Sequence, residues 1–61
     1  MEKRTWYIEG SNELDKTIEE VEGLFPCFIT ATFIEMNYME ITIEARTEDM
    51  GAIKKKFAPY M

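Results

Sequence analysis

The stretch "FPCFITATFIEMNYMEITIEAR", Phe25 to Arg46, decides the fold. Its two halves both read as strands, rich in β-branched and aromatic residues, and the question is which parity of each faces a core. A two-residue turn at Met36 and Asn37 sets Phe33 opposite Glu40, mixing core with charge. A three-residue loop, Glu35 to Asn37, instead pairs Phe33 with Met39, Ala31 with Ile41, Ile29 with Ile43 and Cys27 with Ala45, and every member is apolar. The opposite face then pairs Ile34 with Tyr38, Thr32 with Glu40, Thr30 with Thr42 and Phe28 with Glu44. A slip of one residue turns every side chain over, so the odd-numbered apolar set specifies the register. Loops of this length close on a left-handed residue, and Asn37 is the best non-glycine candidate for it.

Upstream of this hairpin, Leu14, Ile18, Val21 and Phe25 recur at helical spacing behind the capping candidates Ser11 and Asn12. Gly23 sits where a left-handed C-terminal cap belongs, and Phe25 before Pro26 is pushed to extended geometry. Earlier still, "RTWYIE", Arg4 to Glu9, reads as a short strand with Trp6 and Ile8 on one parity, closed by Gly10 and Ser11. Downstream, Thr47 is a good N-cap for a last helix with the apolar stripe Met50, Ile53 and Phe57. Glu48 and Asp49 in its first turn and Lys54, Lys55 and Lys56 in its last match the helix dipole, and Pro59 stops it before a tail of Tyr60 and Met61.

The order β-α-β-β-α makes residues 1–61 one α+β domain. Its topology resembles a ferredoxin-like fold that lacks its final strand. A right-handed crossover and the hairpin then give a three-stranded antiparallel sheet of order 1-3-2, with both helices on one face. The first strand is left at an open edge, and open edges invite pairing.

Size bears on association. A chain of 61 residues is close to the length at which folding buries only about 60% of the unfolded surface, so added stabilisation is expected. One cysteine, Cys27, forms no intrachain bridge, and without histidine a structural zinc site has no ligand set. A homodimer is the remaining source, with Trp6, Tyr7 and Ile8 as its strand edge. The N-terminus lacks the apolar run of a secretory signal, no stretch is long enough to span a membrane, and the unpaired cysteine suits a reducing compartment, so a cytoplasmic location is expected.

The chemistry-bearing residues point away from catalysis. Ser11 stands at a helix start and Cys27 on the core face, neither with a base in the pattern, so no catalytic residue is expected, and no metal or cofactor motif is seen. The lysines of "AIKKKFA" point around their helix rather than along one face, and the net charge of −5, from 12 acidic and 7 basic residues, disfavours direct binding to nucleic acid or to an anionic membrane. On the first helix Asp15, Glu19 and Glu22 share one flank, and Glu13 and Glu20 line the other. The even-numbered sheet face carries Phe28, Ile34 and Tyr38, joined by Tyr7. These two surfaces are the expected partner-binding sites of a small acidic inhibitor or adaptor, in the manner of the small proteins by which phages and other mobile elements block host machinery. The alternative is a small-ligand sensor binding a metabolite at a dimer seam, with "EGSNE", Glu9 to Glu13, as its candidate loop.

Overall fold

The computed structural model describes residues 1–61. Its elements run β1 (Glu2–Glu9), α1 (Asn12–Leu24), β2 (Cys27–Glu35), β3 (Tyr38–Ala45) and α2 (Thr47–Phe57), with a closing 3-10 turn over Ala58–Tyr60. The strands form one antiparallel sheet of order β1-β3-β2, as a right-handed crossover followed by the hairpin requires. Both helices lie on one face of it. Their Leu14, Val21, Met50, Ile53 and Phe57 close a core with Ile8, Ile41, Ile43 and Ala45. Trp6 flanks this core with its ring 6.4 Å from that of Phe57, within the range of favourable aromatic pairs.

The hairpin keeps the four apolar pairs read from its parity: Cys27 with Ala45, Ile29 with Ile43, Ala31 with Ile41 and Phe33 with Met39. The loop differs. Met36 and Asn37 form a two-residue turn closed by Glu35 opposite Tyr38, so the expected pair of Ile34 with Tyr38 is absent and Ile34 is a bulge. One extra residue on the β2 side gives the short turn and the apolar register together, an option that a count of regular pairs omits. The left-handed residue is correspondingly Met36, with φ of 48°, rather than Asn37.

The helix ends also depart from the sequence expectation. Gly23 lies within α1 at a helical φ, and the chain leaves through Phe25 in an extended conformation imposed by Pro26. Thr47 is the first helical residue of α2, and Arg46 takes the N-cap. The Arg46 guanidinium donates to Asp49 at 2.8 Å, and that bond and charge hold its pKa above the usual value. β1 begins at Glu2, two residues before the expected Arg4, where the Arg4 side chain bonds the Glu2 carboxylate and lowers its pKa. Tyr60, read as part of a tail, is anchored instead, its hydroxyl 2.8 Å from that of Thr17 on α1.

The largest correction concerns Ala31 and Phe33. Their parity assigns them to the core, yet both are exposed, Phe33 by 65%. The path of α1 explains this. It starts at the hairpin tip, where the Gly10 N–H donates to the Asn37 carbonyl, and ends at the base of β2, where Pro26 leads into Cys27. Cys27 and Ile29 are therefore partly covered, and the distal half of β2 is bare on the helix side.

Candidate functional site

Two features on opposite sides of the sheet gather the expected partner-binding residues. The first is the border between α1 and β2. On α1, Leu14, Ile18 and Val21 point to the core, which places Asp15, Glu19 and Glu22 on one side of that stripe and Glu13, Thr17 and Glu20 on the other. The second side faces α2: Lys56 donates to Glu20 at 2.8 Å, and Thr17 reaches Tyr60. The first side therefore faces β2. Asp15 shares a depression of about 380 Å³ with Phe33, Met36 and Met39, and the Glu22 charge acts on the Cys27 thiol.

None of the salt bridges of the fold includes Asp15, Glu19 or Glu22, and all three side chains are exposed. Three carboxylates thus run beside a strand whose helix-side residues are apolar, bare at Ala31 and Phe33 and partly covered at Cys27 and Ile29. Phe33 and Met36, the latter 83% exposed, belong to this surface although their sequence positions indicated core and turn. The signal that could have found them is the strand order: with β3 in the middle, β2 is as much an edge as β1.

The second feature is the uncovered sheet face. Lys3, Thr5, Phe28, Thr30, Glu40, Thr42 and Glu44 line a shallow depression of about 440 Å³, in which the hydroxyls of Thr5 and Thr42 lie 3.1 Å apart. Tyr7 and Phe28 stand exposed on this face by 66% and 69%, and Tyr38 and Ile34 are exposed beside the hairpin turn. The four are spread over three strands, with Phe28 at the base of β2 and the other three toward the hairpin turn.

Of the residues expected at a β1 dimer edge, Tyr7 alone is exposed. Ile8 is buried in the core and Trp6 half-buried against Phe57, so both side chains belong to the fold's own interior rather than to the edge.

Cys27 is half-buried, its thiol 4.0 Å from the Val21 carbonyl. Burial raises its pKa, and the nearby Glu22 and Asp49 charges add to the shift, so the neutral thiol is favoured. That is the environment of a packing residue rather than an activated nucleophile.

No helix of the fold is long and apolar enough to cross a membrane. Comparison with protein-family models, with curated proteins and with solved structures finds no match to this chain.

Proposed function

We propose that the chain is a non-enzymatic protein-binding protein, an inhibitor or adaptor of a larger protein, that acts as a homodimer. The observation that carries this reading is the row Asp15, Glu19 and Glu22, left without cationic partners beside an exposed apolar strand. Like charges at helical spacing repel, which costs a few tenths of a kcal/mol per pair, and a basic site on another molecule would relieve the repulsion. A phage or mobile-element inhibitor of host machinery, working in the cytoplasm, is the setting in which such a small acidic surface fits.

The homodimer is supported by the small core and by the charges on β1. Only nine of 61 residues are buried, so further apolar burial would add appreciably to stability. Antiparallel pairing of β1 with a second β1 about a two-fold axis at Trp6 sets Lys3 of each copy opposite Glu9 of the other. The edge is thus complementary to itself in charge. Sedimentation at micromolar concentration tests it: a dimer is expected, separated by Tyr7→Pro, and a monomer at every concentration would refute it.

The binding function is tested by capturing partners from lysate of the native host with the wild-type chain and with Asp15→Asn, Glu19→Gln and Glu22→Gln combined. The expected result is one partner enriched by the wild type and lost from the triple variant, with capture weakening as salt rises. Equal capture by both at all salt concentrations would remove the acidic flank from the function.

The alternative of a small-ligand sensor has one observation in its favour. Gly10, Ser11 and Asn12 line the depression beside Asp15 and Phe33, whose volume of about 380 Å³ is within the range of ligand pockets. A rise in melting temperature with a metabolite, abolished by blocking the depression with Asn12→Trp at an exposed lining position, would favour it.

A further inference from the structure

We propose that the free edge of β2 takes up an extended segment of a protein partner as a fourth strand, with Arg or Lys on the side facing α1 and β-branched residues on the opposite side. The proposal rests on the protein-binding reading above and names the place and chemistry of the contact.

Strand order leaves the outer N–H and C=O groups of β2 without partners, as it does those of β1. The two edges differ in how they are guarded. β1 carries Glu2, Lys3, Arg4 and Glu9, and charges along an edge deter indiscriminate pairing. β2 has no charge, proline or glycine from Cys27 through Ile34, and seven of its nine residues are exposed. A row of unpaired backbone groups flanked by Phe28, Ala31, Phe33 and Ile34 is a template for strand addition.

The acidic flank of α1 decides between occupants. Pairing β2 with the β2 of a second copy matches side chains well, since a two-fold at Ala31 sets Ile29 opposite Phe33 and Thr30 opposite Thr32. It would also put both α1 helices on the same face of the joined sheet, each with its Asp15, Glu19 and Glu22 turned to the seam. The two carboxylate rows then face each other across the seam, so like charges oppose the pairing, most strongly at low salt.

A strand bearing Arg or Lys reverses the sign of that interaction. Its long side chains can lie along Ala31 and over the Phe33 ring while their charged ends reach the α1 carboxylates. On the opposite face, Phe28, Thr30 and Thr32 favour β-branched cross-strand neighbours.

The experiment uses the whole chain, isotope-labelled for NMR, and two peptides of about nine residues, a usual strand length. One alternates Arg with Val, and the other has Glu in place of Arg. The Arg peptide is expected to bind and slow exchange of amides in β2 but not in β1, with affinity falling as salt is raised. The Glu peptide is expected not to bind. Removing the three charges with Asp15→Asn, Glu19→Gln and Glu22→Gln should weaken the Arg peptide about tenfold, as expected for three exposed ion pairs. Ala31→Lys, at an exposed position where the fold should persist, should also weaken binding severalfold by placing a like charge on the edge and occupying the α1 carboxylates.

Protection in β1 or on the open sheet face, equal binding of both peptides, or no binding overturns the proposal. A concentration-dependent dimer protected along β2 and broken by Ala31→Lys also overturns it, in favour of a second copy. If the triple variant loses a lysate partner but the Arg peptide leaves β2 unprotected, the binding function stands and the strand-addition proposal fails.

Discussion

Met36 carries the one positive φ in the chain, and its long side chain gains little in return because it projects into solvent. The left-handed region costs an L-residue about 1 kcal/mol, and glycine occupies it freely. Met36→Gly should therefore raise stability by up to about 1 kcal/mol, after allowance for the larger entropy of the unfolded chain, while Met36→Ile should lower it by at least as much. Asn37→Gly should give no such gain, and urea denaturation of the three variants checks all of this. Cys27 gives a second residue-scale expectation. Its folded pKa is raised, so the associated stability is present in full below the unfolded thiol pKa and is lost as pH rises through the folded value. Alkylation by iodoacetamide should accordingly show a midpoint above that of an unstructured cysteine peptide, and a midpoint below it would contradict the packing role.

The helices and the turn beside them use glycine in opposite ways. Gly23 lies in α1 at a helical φ with open space where a Cβ would stand, so Gly23→Ala should stabilise the protein by about 0.5–1 kcal/mol through helix propensity. Gly51 in α2 is placed similarly, and the two gains should add because they are on different helices without a shared neighbour. Gly10 is different. A Cβ there would meet the Asn37 carbonyl oxygen at 3.2 Å and the Met39 sulfur at 3.3 Å, at the point where the N–H of Gly10 ties α1 to the hairpin tip. Gly10→Ala should lower the melting temperature, and a rise would mean that the tip yields more readily than its backbone contact suggests.

At the scale of the molecule, nine buried side chains hold three strands and two helices together. Phe57 is the largest of them and touches both the sheet and Trp6. Truncating a buried phenylalanine costs about 3–5 kcal/mol, a large share of the stability available to a chain of this length. Phe57→Ala should be largely unfolded at 25 °C by circular dichroism, whereas Phe33→Ala, at an exposed position, should change stability by less than about 1 kcal/mol. Comparable losses from the two would mean that Phe33 is covered in solution, by another copy or by a segment not held in its place here. The contrast between these two phenylalanines thus reads out directly whether the helix-side face of β2 is bare.

Local and periodic features determined the element order, the apolar register of the hairpin and the placing of both helices on one face, because parity and helical spacing each leave one arrangement that gathers the apolar set on a single side. Position within an edge was not legible in the same way. Ala31 and Phe33 carry core parity, and only the path of α1 from the hairpin tip to the base of β2 leaves them uncovered. The bulge at Ile34, which moves the left-handed residue from Asn37 to Met36, depends on how the strand ends close against each other rather than on any single residue preference. The candidate site divides along the same line. Asp15, Glu19 and Glu22 share a flank by helical periodicity alone, whereas their position along β2 rather than over α2 follows from contacts such as Lys56 with Glu20 and Thr17 with Tyr60. A sequence fixes which residues of an element share a face; the neighbour toward which that face turns is set by packing between elements far apart in the chain.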